Sequence, residues 1–196
     1  KEKRRGNVQV LKAEVKNKIL VASEKIFYKK DYRSAKLAEI AEEAGIPVAL
    51  IYSYFKNKQT LFDETVQPAY HSFILFFKEE ESLRCNSVPK KSDKVGEQYV
   101  HQLIKNRKKL IILMDKSVGT KHEKAKSEMV KQIQKHIEMR LESQAKEKYD
   151  PMLSHILASN FAEGLLEIAR HYKSESWARD MLKLMAQYYF MGVQSL

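Results

Sequence analysis

The chain has a single cysteine, Cys85, so no internal disulfide can hold it together, which fits a reducing cytosol. No apolar run approaches the roughly 18 residues needed to cross a bilayer, and no charged-then-apolar leader opens the sequence. A soluble, cytoplasmic protein with no membrane partner is expected. Four prolines and six glycines in 196 residues leave room for long helices and argue against a many-stranded sheet. Recognisable chemistry is also scarce. His71, His101, His122, His136, His155 and His171 are scattered, without HExxH or paired ligand spacing. Cys85 lies in a polar stretch with no evident activating base, and no glycine-rich loop is present to cradle a phosphate. Neither an enzyme, nor a metal site, nor a cofactor is expected.

What the chain has in excess is positive charge. The formal net charge is +11, and it is uneven. Residues 1–58 hold 14 Lys/Arg against 7 Asp/Glu, whereas residues 59–196 hold 22 against 18. A +7 excess in the first third is the footprint of a phosphate-binding module, and it is equally the composition of a basic solvated surface. Lys1 to Gly6, KEKRRG, reads as a mobile basic arm, either idle or lying along a DNA groove.

A first helix is predicted from about Val10 to Lys29, with Val15, Ile19, Ala22 and Ile26 on one face. Leu37, Ile40 and Ala41 make one face of a second, short helix. Gly45 then interrupts as a glycine just past a helix end would, and Pro47 suits the first turn of a third helix running to about Tyr54. Leu50, Ile51 and Phe55 are available for burial, with Phe27, Tyr32 and Ile40 completing a three-helix core. Asn57 can cap the next helix. Two short helices joined by a tight glycine-containing turn form the DNA-reading helix-turn-helix.

Taken together, Ile40-Ala41, Gly45, Ile51-Tyr52-Ser53-Tyr54-Phe55, Lys56-Asn57-Lys58 and Leu61-Phe62 resemble, in order and spacing, the DNA-binding signature of the tetracycline-repressor (TetR-type) family of bacterial regulators. The resemblance implies an all-α protein. Its three-helix head (1–62) carries the helix-turn-helix, and a helical ligand-binding and dimerisation domain (63–196) follows. It further implies a ligand-responsive regulator, read as a repressor, that binds a near-palindromic double-stranded DNA operator as a homodimer and answers to a small-molecule inducer. The competing reading is a helical small-molecule-binding protein without specific DNA function. The chain departs from the family pattern at Asp31, where a glycine is usual, and at Ala35 and Lys36, where Thr and Ser/Thr are usual. Ala38 replaces a frequent Arg, and Pro47-Val48-Ala49-Leu50 replaces a run rich in hydroxyls and cations.

DNA contact is accordingly assigned to Lys36, Pro47, Val48, Ala49, Tyr52, Ser53, Tyr54, Lys56 and Lys58. Hydroxyls, apolar contacts to thymine methyls and cations for phosphates are the chemistry on offer. Of the two tyrosines, one is expected in the core, with Tyr52 outward by the family pattern.

Past Phe62 helices are expected throughout. A connecting helix carries Thr65, Val66, Ala69, Tyr70, Phe73 and Phe77 and ends at Glu79-Glu80-Glu81, with a loop over 85–93. Further helices are read at about Asp93–Asn106, Lys108–Lys116, Lys121–Lys148, Met152–Tyr172 and Glu175–Gln194, with a turn at Ser117 to Thr120. The last two each carry two apolar stripes, which implies a second surface to bury. The resemblance makes these helices the dimer interface, through Ala158, Ala162, Leu166, Ala169, Trp177, Met181, Leu184 and Tyr188. Pocket candidates are Phe73, Phe77, Tyr99, Leu103, Met114 and Phe161, each of which plain core packing would equally explain.

Overall fold

The computed structural model describes residues 2–85, 101–144 and 149–195; the side chains of 2–11, 73–85, 140, 143–144, 190 and 193–195 lie outside that description. Every regular element among the described residues is helical. The helices are α1 (Glu2–Lys29), α2 (Leu37–Ala44), α3 (Val48–Tyr52), α4 (Lys58–Cys85), α5 (Arg107–Asp115), α6 (Ala125–Gln144), α7 (Pro151–Arg170) and α8 (Glu175–Ser195). Helical residues 101–105 lead into α5. No helix among the described residues is long and apolar enough to cross a membrane.

Helices α1, α2 and α3 close over a small core in which Ile19, Phe27, Ile40, Ile51 and Phe55 are almost wholly buried. Phe62 meets Phe27 and Tyr32 edge-on, its ring centre 5.0 Å from that of Phe27, while Phe27 and Tyr32 stack. The same apolar cluster continues through Val66 and Ala69 of α4 into Leu110, Ile112 and Leu113 of α5 and Ile133 and Ile137 of α6. Head and body are therefore joined by packed side chains as well as by the chain. Ser23 of α1 and Thr65 of α4 place a hydroxyl pair inside that seam, 2.6 Å apart; one donates to the other, and the second donates to a carbonyl one turn back. A buried polar pair costs little when its hydrogen bonds are made.

In the body, α7 packs against α5, α6 and α8, while α5 also touches α1 and α4. Asp150 caps α7, accepting from the Met152 N–H at 2.8 Å, and Pro151 occupies the first helical position, where its missing N–H is not needed.

Three expectations are corrected. Helix α1 begins at Glu2 and not near Val10, so residues 2–6 are the first turns of a helix where a mobile arm was expected. Lys, Arg, Glu and Gln are good helix formers, and an existing helix extends at little cost. Helix α4 runs on through Glu79-Glu80-Glu81 to Cys85 for the same reason. Pro47 stands just before α3, at φ −63° and ψ 141°, and α3 itself is a short Val48–Tyr52 turn. The expected helix over 93–106 lies outside the described residues up to 100, as does the 86–93 part of the expected loop.

Candidate nucleic-acid interface

The turn between α2 and α3 is set by Gly45, which adopts φ +65° and ψ 37°. That left-handed conformation costs residues with a Cβ about 1–2 kcal/mol. The Gly45 and Ile46 N–H groups return to the carbonyls of Glu42 and Ala41, both at 3.0 Å, closing the end of α2. The start of α2 is held by Glu39, whose carboxylate accepts from the Lys36 N–H and pairs with the Lys30 ammonium. These partners hold the Glu39 carboxyl below its ordinary pKa, the Lys30 hydrogen bond foremost.

Because Ile51 faces the core, the opposite side of α3 faces solvent. Pro47, Val48, Ala49, Tyr52 and Ser53 are all exposed there, and Tyr52 keeps 56% of its surface. Tyr54 is half-buried against the head core, so one tyrosine points outward and the other inward. Lys36 and Lys56 are exposed on the same head. At the α4 start, Asn57 accepts from the Thr60 N–H at 2.8 Å.

Lys58 departs from its expected role. Its ammonium folds back to donate to the carbonyls of Ala35 (2.7 Å) and Arg33 (3.3 Å) and lies 4.5 Å from the centre of the Tyr32 ring. Burial lowers its pKa. A cation committed to two otherwise open carbonyls and an aromatic face is a strut of the head and is not offered outward. The family departure at Asp31 is explained in the same turn: its carboxylate accepts from the Ser34 N–H at 2.7 Å, and that hydrogen bond holds its pKa low.

Residues 19–65 match the family described as bacterial regulatory proteins, tetR family. Over those residues, which hold the helix-turn-helix, the chain is similar to that family. Around that head the whole fold is shared with solved regulators. NalD of Pseudomonas aeruginosa, the secondary repressor of the MexAB-OprM multidrug efflux pump, is 21% identical, with a TM-score of 0.55 over 89% of this chain and 96% of that one. A transcriptional regulator from Aquifex aeolicus is 18% identical, with a TM-score of 0.57 over 90% and 99%. FadR from Bacillus subtilis, solved with stearoyl-CoA, is 16% identical, with a TM-score of 0.51 over 86% and 96%.

Two further sets of residues sit in the body. On α7, Ala158, Ala162, Leu166 and Ala169 are buried within the protomer, which corrects their placement on a free surface. Small side chains there let α7 lie close to α5 and α6, which bury that face themselves. On α8 the later half of the expected stripe faces outward, while Trp177 packs against the cluster of Ile104, Ala178 and Leu182. Trp177 and Met181 are half-buried, Leu184 is 56% exposed and Tyr188 82%, and Met191 continues the stripe. Met152 and Ile156 add exposed apolar surface at the start of α7.

A cleft of about 200 Å³ opens between α4, α5 and α6, lined by Tyr70, Leu113, Met114, Lys121, His122, Ala125, Glu128 and Gln132. Of the expected pocket residues whose side chains are described, only Met114 is among them. Leu103 packs partly buried against both apolar clusters, and Phe161 meets Tyr189 at a tilt with ring centres 4.6 Å apart. Both are half-buried residues packed against the apolar clusters. The side chains of Phe73 and Phe77, and all of Tyr99, lie outside the described residues.

The cleft adjoins a contact that no local pattern announces. Asp63, one residue past the head core, meets His122 Nε2 at 3.0 Å, Lys121 Nζ at 2.8 Å and Gln59 Nε2 at 2.8 Å. The His122 ring rests between Phe62 and Tyr70, and its burial lowers its pKa despite Asp63. Next to a carboxylate, the neutral ring must carry its proton on Nε2. Tyr32 N–H donates to the Lys116 carbonyl at 3.0 Å, so the 116–124 loop grips both the head and the root of α4. Asp63 and His122 are 59 positions apart, and only the fold brings them together.

Proposed function

We propose that the chain is a ligand-responsive transcriptional repressor whose homodimer reads a near-palindromic operator in double-stranded DNA. The observation that carries this is the outer face of α3. Pro47, Val48, Ala49, Tyr52 and Ser53 are exposed on a helix whose other face closes the head core, and exposed Lys36 and Lys56 flank them. A helix of this kind enters the major groove, where apolar side chains meet thymine methyls, hydroxyls meet base edges, and lysines meet phosphates. The +7 excess of residues 1–58 supplies the attraction. Lys58 is omitted from the contact set, since its ammonium is already engaged.

The exposed α8 stripe, Leu184, Tyr188 and Met191, supports the dimer, because residues spaced by three and four form a continuous apolar seam suited to a second copy. Two-fold symmetry in the protein would then be mirrored in the operator. That NalD is a repressor and FadR was solved with an acyl-CoA supports repression and ligand control as the mode. The deciding experiment selects bound sequences from random duplex DNA. A two-fold-related motif is the expected result, lost by Tyr52→Ala with the fold and the dimer intact. Binding that stays weak and indifferent to sequence would instead favour a helical small-molecule-binding protein with no specific DNA role.

A further inference from the structure

We propose that the cleft between α4, α5 and α6 binds a small organic monocarboxylate, which takes Lys121 and His122 away from Asp63 and thereby unfastens the 116–124 loop from the root of α4. The proposal rests on the reading of the chain as a ligand-responsive regulator and names the ligand class and the coupling step.

The cleft has a polar and an apolar side. Leu113, Met114 and Ala125 supply hydrocarbon surface, while Lys121 and His122 are the lining groups able to carry positive charge. Both are already engaged by one carboxylate, that of Asp63, at 2.8 and 3.0 Å. A ligand carboxylate seated at that end offers them the same chemistry, so the exchange replaces one charge-assisted pair by another. Asp63 is not stranded by the exchange, because Gln59 of its own helix still donates to it at 2.8 Å. The net gain comes from covering the apolar side, so affinity is modest.

Size and charge narrow the class. A volume of about 200 Å³ holds some six or seven water volumes at about 30 Å³ each. That falls below the roughly 300–1,000 Å³ of sites for drug-sized ligands. Glu128, paired with Lys131 at 3.4 Å, faces the same cleft and disfavours a second negative charge on the ligand. An aromatic or short branched acid with one carboxylate fits these limits. The coupling follows from position: Asp63 directly follows Phe62, which packs on Phe27 and Tyr32 in the head core. Loosening this contact removes one tie between the loop and the head end of α4, with the Tyr32–Lys116 backbone bond and the packing of Phe62 still in place.

The test uses the full chain with benzoate as probe and benzamide as its uncharged twin, followed by calorimetry. Benzoate is expected to bind saturably, and benzamide at least about tenfold more weakly. Lys121→Gln and His122→Gln should each weaken benzoate by about tenfold, with melting curves confirming a folded protein. Asp63→Asn should tighten benzoate, since it removes the competing carboxylate. A purely structural Asp63 would give no such gain. Unsaturable binding, equal binding of benzamide, or weaker binding by Asp63→Asn overturns the site. In a second arm, benzoate should lower affinity for an operator selected from random DNA, and an unchanged affinity overturns the coupling. If no operator can be selected while benzoate binds as described, the regulator reading fails and the carboxylate site stands.

Discussion

At the scale of single residues, the two lysines around the α4 start show how alike sequence positions diverge. Lys56 is exposed, and Lys58 is folded onto the carbonyls of Arg33 and Ala35. Removing Lys56 should leave stability unchanged. If it meets one phosphate per subunit, Lys56→Ala should lower the dimer's salt slope of log K by about two. Lys58→Ala should instead lower stability by about 1 kcal/mol and leave the salt slope alone, because a hydrogen-bonded strut is lost and no phosphate contact is. Urea unfolding and salt titrations of operator binding on both variants separate the roles; equal slopes for the two would return Lys58 to the interface. At Gly45, nothing lies within 4 Å of an added Cβ, so Gly45→Ala tests the backbone alone. The left-handed φ of +65° predicts a loss of about 1 kcal/mol in the same unfolding measurement.

At the scale of elements, the 116–124 loop does more than the turn that its sequence suggests. It links α5 to α6, bonds to the head at Tyr32, and fastens to α4 through His122 and Lys121. Burial depresses the pKa of His122, so the folded protein favours the neutral ring more than the unfolded chain does. The sign follows: this contribution to stability is present above the unfolded value of about 6.5 and is lost as pH falls through the lower folded value. His122→Gln should therefore differ in pH dependence from the parent between neutral and mildly acid pH, which denaturant titrations at several pH values would measure. Matching profiles would show that the ring's protonation is not linked to folding. In the α7–α8 pair, a Cβ at Gly164 would come 2.6 Å from Met185 Sδ. Alanine there is tolerable if the flexible Met185 moves, but Gly164→Val should overpack the contact and cost about 1–3 kcal/mol.

At the scale of the whole molecule, stability and assembly draw on different helices. The α7 alanine stripe, Ala158, Ala162 and Ala169, is spent inside the protomer, leaving the α8 stripe as the free surface. Leu184→Asp should thus prevent dimerisation while barely altering the protomer, because Leu184 is 56% exposed without a partner. Sedimentation of parent and variant at micromolar concentration checks this, and a parent that sediments as a monomer would remove the dimer altogether. Loss of the dimer should also weaken operator binding by far more than loss of any single phosphate contact, since both half-sites must be engaged together.

The sequence by itself determined the helix-turn-helix. Gly45, Asn57 and the Ile40, Ile51 and Phe55 core are local signals, each read within one or two turns of backbone. Among the described residues it also gave the body's helices to within a few residues, because their apolar periodicity is long and regular. Which stripe of a two-striped helix stays free was not legible there: Ala158 and Leu184 carry the same kind of periodicity, and only the packing of α5 and α6 on α7 hides the first. The extent of α1 was misread because charged residues without a stripe look like a tail, although they propagate a helix well. The Asp63–His122 contact was decided by tertiary structure alone. Side chains 59 positions apart leave no local trace in the chain, and burial beside Phe62 and Tyr70 is what makes one histidine among six different from the rest.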